Sequence, residues 1–401
     1  MTVTAVAGGN RYPVRGHLTP LDGVRGLAIL MVICSHAFES NYETSGALVR
    51  FVGHLFYYGL FGVDLFFVLS GFLITGILFD SLNDSGFFRK FYARRALRIF
   101  PLYYGVLLVC FALTRLLHLH WGDMGWLLLA YLQNLHPYAF NNFTPGAGIG
   151  LYHFWSLAVE EQFYLVWPAV VFFVRGKRGL LVTTLAASVG AFLLRLILLT
   201  GGVSALAIHV TTICRADSLL LGGSLAMLYR SRHWPRVLRI APWGFLGAAT
   251  IIVASIILLE PRLASHPLLD RFWLDGVRYS VLALGFVCLI AWSLRPGSLC
   301  QWVFQRGWLR FLGKYSYGIY VLHVLALSLL ALPLRAAILQ ATHSKLVAVA
   351  AAGIVSLTVG ILAAYVSFHL YEKPFLRLKH LFDYSRPSLN DSSREEVIAG
   401  R

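Results

Sequence analysis

The sequence predicts an all-α polytopic membrane protein, and three observations carry that prediction. Hydrophobic residues make up 58% of the chain and charged residues only 13%, far from the balance of a soluble domain. Apolar runs long enough to cross a hydrocarbon core of about 30 Å as helices recur along the whole length. The basic residues behind the formal charge of +16 lie mostly in short stretches between those runs. Orientation in a bilayer puts them there, so no nucleic-acid partner is needed to account for them.

Ten spans follow from the hydropathy pattern. Residues 1–20 are polar and basic, without the apolar core and cleavage site of a signal peptide. They read as a cytoplasmic segment, and the first span, 23–40, as a signal anchor. It belongs to "LDGVRGLAILMVICSH", Leu21 to His36. The second span, 54–80, contains "GVDLFFVLSGFLI" with Asp64. Arg89, Lys90, Arg94, Arg95 and Arg98 crowd the stretch 81–99, which reads as a cytoplasmic loop before span three, 100–119. Residues 120–150 hold no basic residue and are placed outside. Within them "WLLLAYLQNL" (126–135) is too short to cross and reads as a re-entrant or interfacial helix. The Gly/Pro/Asn-rich loop after it is placed as a substrate mouth.

Span four, 151–174, contains "FWSLAVEEQFYLVWP" and is followed by Arg175, Lys177 and Arg178. Spans five and six, 180–200 and 205–229, lead to Arg230, Arg232, Arg236 and Arg239. Spans seven and eight, 241–259 and 277–294, lead to Arg295, Arg306 and Arg310. Span nine, 313–333, holds "YSYGIYVLH". Span ten, 345–371, ends at "YEKPF", where Glu372 and Lys373 before Pro374 read as a helix end. The basic stretches alternate with 39–53, which has one basic residue, and 120–150, which has none. Both termini are therefore predicted to be cytoplasmic. The expected organisation is a cytoplasmic segment 1–20, a membrane domain 21–375 and a cytoplasmic tail 376–401 whose end is disordered. Cys34, Cys110, Cys214, Cys288 and Cys300 have neither metal nor disulfide spacing and read as packing residues.

Ionisable residues inside spans cost about 2.5–3.5 kcal/mol each. Arg25, His36, Asp64, Glu160, Glu161, Arg195, Arg215, Asp217 and His323 all fall there. A stability of about 5–15 kcal/mol cannot carry them unpaired, so a polar interior cavity is predicted. Arg25 and His36 share a helix face, about 16 Å apart along the axis. On spacing alone, Arg25 serves equally as a residue snorkelling to the cytoplasmic boundary. His36 is either interfacial or the proton-exchanging group of a site. Arg95 and Arg98 stand i, i+3 and suit a phosphate group as well as anionic lipid. Arg94, i, i+4 to Arg98, extends that face. Glu160, near Gln162, is an acid/base or histidine-orienting group, or an interfacial carboxylate beside Trp155 and Trp167. Arg215 and Asp217 read as a buried charge network.

Taken together and in order, these stretches resemble the integral-membrane acyltransferase-3 family over roughly residues 20–375. The resemblance implies transfer of an acyl group, most often acetyl, from cytoplasmic acyl-CoA to a hydroxyl of an envelope glycan, a lipid or a small molecule. It implies His36 as the catalytic residue, with Arg25 opening the family's arginine–ten residues–histidine pattern. Arg95 and Arg98 would handle the acyl-CoA, and Glu160 is the carboxylate of the tryptophan–serine–leucine motif. Asp22, Asp64, Gln162, Tyr164, Arg215, Asp217 and His323 are expected to form a supporting polar network. Glu160 is expected to fix the tautomer of His36 and stabilise its imidazolium. No metal and no permanently bound cofactor are expected; acyl-CoA is a substrate. The expected location is a bacterial cytoplasmic membrane, and the expected form is a stand-alone unit, needing a separate partner for any step that an added extracytoplasmic domain performs in some members. A transporter or flippase of an anionic or glycolipid solute is the alternative. It lacks support from an inverted repeat or matched broken helices, and consumption of acyl-CoA by the purified protein separates the two. A non-catalytic scaffold leaves the buried charges without a reason.

Overall fold

A computed structural model of the chain describes residues 17–38, 53, 56–116, 119–122, 124–135, 150–259 and 267–384. Among them ten helices are long and apolar enough to cross a membrane. They are α1 (Thr19–Ala37), α2 (Tyr58–Asp80), α3 (Phe87–Ala112), α4 (Tyr152–Val174), α5 (Lys177–Thr200), α6 (Ala205–Tyr229), α7 (Trp234–Leu258), α8 (Leu269–Ser293), α9 (Gly307–Thr342) and α10 (Lys345–Phe382). Ten crossings return the chain to the side from which it set out, and the basic clusters gather on that side. The substrate-mouth loop 136–149, the segment 39–52, the N-terminal residues 1–16 and the tail 385–401 lie outside the described residues.

Three expected boundaries are corrected. The basic stretch before span three is helical, because α3 starts at Phe87 behind Gly86, whose φ of 77° is left-handed. Arg, Lys, Ala and Leu are good helix formers, so the helix continues past the hydrocarbon into the basic interface. α7 starts at Trp234, with Pro235 in its first turn, where a missing N–H costs nothing. α10 does not end at Glu372. A π turn over Phe368–Glu372 restarts the helix, and Pro374 then falls in the first turn of Lys373–Arg377. The segment near 126–135 is a short helix, Met124–Leu129, followed by a 3-10 turn, Gln133–Leu135, too short to cross. Cys300, between spans, is buried, and burial pushes its thiol up to about 12, away from thiolate chemistry.

Small residues bring the helices that carry the polar groups into backbone contact. A Cβ on Gly26 of α1 would stand 1.9 Å from the Leu309 carbonyl of α9. One on Gly313 of α9 would stand 1.8 Å from the Asp22 carbonyl. Only glycine permits that approach, the usual means of close helix packing in lipid. The same device joins α2 to α6, through Gly71 against Leu219 and Gly222 against Val68.

Buried charges fasten the other side of the bundle. Arg195 of α5 grips Asp217 of α6 at 2.8 and 3.1 Å, and Ser280 of α8 bonds both. Arg215 of α6 pairs with Asp64 of α2. All four charged residues are essentially sealed from solvent. Arg195, Asp217, Arg215 and Asp64 thus link α2, α5, α6 and α8. For Arg195 and Asp217 the desolvation is met by the partner and by extra hydrogen bonds, whereas Arg215 leans on Asp64 and on the Tyr279 ring, 3.8 Å from its guanidinium.

Candidate active site

A cavity of about 1100 Å³ enters the bundle from the basic side. Its size is at the upper end of small-molecule sites. α1 contributes Asp22 and Arg25; α2 contributes Phe66, Phe67, Leu69 and Ser70; α3 contributes Arg94, Arg95 and Arg98. Ser156, Glu160 and Tyr164 come from α4, Arg310, Lys314 and Tyr320 from α9, and Lys379 from the end of α10. The expected acyl-CoA residues Arg25, Arg95 and Arg98 therefore share one wall system with Glu160 and Tyr164.

The cations of the cavity divide into two groups. Arg25 pairs with Asp22 at 3.0 Å, and Arg230 grips Asp80 through two bonds of 2.8 and 2.5 Å. Arg94 is held by Asp383 at 2.5 Å and by the carbonyls of Lys379 and Phe382. Among the described residues Arg95, Arg98, Arg310, Lys314 and Lys379 have no carboxylate at ion-pairing distance. Arg95 lies over the Tyr164 ring, 4.9 Å from its centre. Cations that form no ion pair, gathered on the wall of a cavity, suit an anion with several oxygens.

Glu160 belongs to this cavity, not to His36. Tyr164 donates to Glu160 at 3.1 Å, and Ser70 bonds the Tyr164 hydroxyl. The expectation that Glu160 orients the His36 ring is corrected: the ring's partner is His323, with His36 Nδ1 3.1 Å from His323 Nε2. The reason lies in the packing of α1 along α9, whose glycine contacts at Gly26 and Gly313 start both helices side by side, so that the end of α1 meets the middle of α9. Gln162 lies elsewhere again. It donates to the Tyr131 carbonyl and to Asn134 at 2.8 Å each, and Thr212 bonds its oxygen. That set ties the short 124–135 segment to the break in α6 at Thr211, where ψ is 129°.

His36 and His323 are 9% and 3% exposed, and a third histidine, His153, packs edge-on to His323 with ring centres 5.0 Å apart. Tyr152 stands edge-on to His36 at 5.7 Å. The Tyr320 hydroxyl donates to the His153 carbonyl at 2.6 Å and meets Ser156 at 2.5 Å. Tyr320 and Ser156 also line the cavity, so it reaches the hydroxyls that bond the His153 carbonyl, while the three histidine rings stand behind them outside its lining. His153, Ser156, Tyr320 and Ser70 were missed as site residues from sequence. Tyr320 is i, i+3 to His323 and so on its face, and His153 stands three residues before Ser156; those spacings were the available signal.

A family model described as an acyltransferase domain matches residues 19–366. A peptidoglycan O-acetyltransferase of Listeria monocytogenes is 31% identical over 77% of this chain and 49% of its own length. A Bacillus subtilis protein provisionally assigned as a peptidoglycan O-acetyltransferase is 30% identical over 77% of this chain and 48% of its own length. The chain thus spans about half the length of these relatives. No solved structure matches it.

Proposed function

The chain belongs to the acyltransferase-domain family, and on that premise we propose that it is a membrane O-acyltransferase drawing on cytoplasmic acyl-CoA, with acetyl as the default group. The acceptor is a hydroxyl of a cell-envelope glycan, a lipid-linked saccharide or a small molecule. The reading for a glycan is supported by the names of the relatives, one a peptidoglycan O-acetyltransferase and the other provisionally assigned as one. The observation that carries the reading is one cavity lined both by Arg95, Arg98 and Lys314 and by Ser156 and Tyr320, whose hydroxyls bond the His153 carbonyl beside His323. Along α9 alone, Arg310 and Tyr320 are separated by about 15 Å.

In this mechanism the donor's phosphates rest on Arg95 and Arg98, with Lys314 and Lys379 close by. The pantetheine arm follows the apolar wall of Phe66, Phe67 and Leu69 toward Ser156 and Tyr320. His36 Nε2 takes the proton of the acceptor hydroxyl as its oxygen attacks the thioester carbonyl carbon. The carbon–sulfur bond breaks, and the imidazolium returns the proton to the departing thiolate. The ester forms on the acceptor and the free thiol leaves by the cavity. The residues present need no metal for these steps, because proton transfer and charge complementarity supply the chemistry.

The test is the base-labile O-acyl content of envelope glycans in a deletion strain carrying wild type or His36→Ala at equal membrane level. Acyl groups restored by wild type and absent with His36→Ala are the expected result. Restoration by both removes His36 from the mechanism. If wild type changes nothing, and the purified protein consumes no acetyl-CoA with any acceptor offered, the acyltransferase reading falls.

A further inference from the structure

The hydrogen bonds around the histidines assign their tautomers. His323 Nδ1 lies 2.7 Å from the Tyr320 carbonyl and 3.1 Å from the Ile319 carbonyl. A carbonyl oxygen only accepts, so this nitrogen carries the ring's proton and donates it. In a neutral imidazole the other nitrogen, Nε2, is then the acceptor. It faces His36 Nδ1 at 3.1 Å, and that contact is a hydrogen bond when His36 carries its proton on Nδ1. His36 is left with a lone pair on Nε2.

We propose that His323 is a positioning residue for acyl transfer, holding His36 as the Nδ1-protonated tautomer so that His36 Nε2 is presented as the base. The inference rests on the reading of His36 as the group that takes the acceptor's proton. The anchor is the main chain of α9 itself. Flipping the His323 ring would break its bonds to two carbonyls of the preceding turn. Its surroundings also hold the ring, since His153 packs on it at 5.0 Å with an interplanar angle of 71°.

The device differs from the carboxylate that orients the histidine of a serine hydrolase. A neutral imidazole sets tautomer and direction without placing a negative charge beside the ring. When His36 Nε2 gains the acceptor's proton, its Nδ1–H bond to His323 becomes charge-assisted and strengthens. That gain is made during the proton transfer and not in the resting state, which is where it assists the reaction.

Purified His323→Leu and His323→Gln proteins test this, because glutamine keeps an acceptor oxygen at the end of the side chain and leucine does not. With His323→Leu, kcat should fall about 10²–10⁴-fold while the Kd for acetyl-CoA stays within about twofold, since a transition-state interaction alone is lost. His323→Gln should recover to within about tenfold of wild type, as an orienting acceptor is restored. Unchanged kcat in His323→Leu overturns the proposal. So does equal loss in both variants, or loss of acetyl-CoA binding in both, which would mark a packing role.

Nitrogen-15 spectra of ring-labelled protein read the tautomer without any turnover, with the His36 signals identified by their loss in His36→Ala. A protonated Nδ1 and bare Nε2 in wild type, scrambled in His323→Leu, are expected. A proton on His36 Nε2 in wild type overturns the proposal even if transfer is observed. If transfer fails but the spectra hold, it is the acyltransferase reading that has failed.

Discussion

Arg94, Arg95 and Arg98 share one turn of α3, yet only two of them remain available to a ligand. Arg94 is committed to Asp383 and to the carbonyls of Lys379 and Phe382, whereas Arg95 and Arg98 face the cavity without a carboxylate partner. A charge-assisted bond contributes about 1.5–3 kcal/mol. Arg98→Gln should therefore weaken acetyl-CoA binding about 10–100-fold, while Arg94→Gln changes it little; calorimetric titration of both variants checks the contrast. Equal losses would mean that net charge, and not the two free forks, holds the donor. The buried pair of Arg215 and Asp64 answers differently. Asp64→Ala leaves a guanidinium sealed without its carboxylate, a change costing about 3–5 kcal/mol. Thermal unfolding in detergent should show a large drop in stability, and a melting temperature unchanged from wild type would show that the pair contributes no net stability.

At the level of elements, the glycines of α1 and α9 decide whether the histidines meet. A Cβ on Gly313 would stand 1.8 Å from the Asp22 carbonyl, whereas around Gly247 on α7 nothing lies within 4 Å. The same substitution should thus have opposite consequences. Gly313→Ala forces two backbones apart, a strain of at least about 1–3 kcal/mol, and should lower both the melting temperature and turnover. Gly247→Ala removes a poor helix former at no steric cost, worth up to about 1 kcal/mol, and should melt at or above wild type. Equal behaviour in a melting assay would sink the claim that backbone contact sets this crossing. The spans themselves were legible in the sequence, since about 20 apolar residues must cover the hydrocarbon. Their ends were not. Hydropathy measures the hydrocarbon thickness, and α3 runs through Arg89–Arg98 because those residues are helix formers in the polar interface.

Across the whole molecule, residues on one helix were legible and residues on different helices were not. The i, i+3 pair Arg95 and Arg98 could be placed on one face from spacing alone. The partner of His36 could not, because depth in a bundle depends on how helices cross. Glu160 and His36 both belong near the far side by sequence, yet one faces Tyr164 and the other His323. The same three-dimensional arrangement makes the two sides of the membrane inequivalent. His17, Asp80, Arg230, Arg310, Lys379 and Tyr384, all at the basic ends of helices, ring the entrance of the cavity, while His36 ends α1 toward the opposite side. An acyl-CoA cannot cross a bilayer unaided, with its phosphates facing a cost of several kcal/mol per charge. In sealed proteoliposomes of known orientation, acetyl-CoA supplied on the basic side should be consumed and its free thiol recovered on that side. The same donor on the opposite side should remain intact until detergent is added. Consumption from both sides at equal rates would sink the one-sided cavity, and consumption only from the far side would reverse the assignment of the basic face as cytoplasmic. High salt offers an internal control in the same vesicles. Raising ionic strength screens contacts between exposed cations and phosphate, so the Kd for acetyl-CoA should rise while a short acyl-pantetheine donor, lacking the nucleotide phosphates, is affected far less.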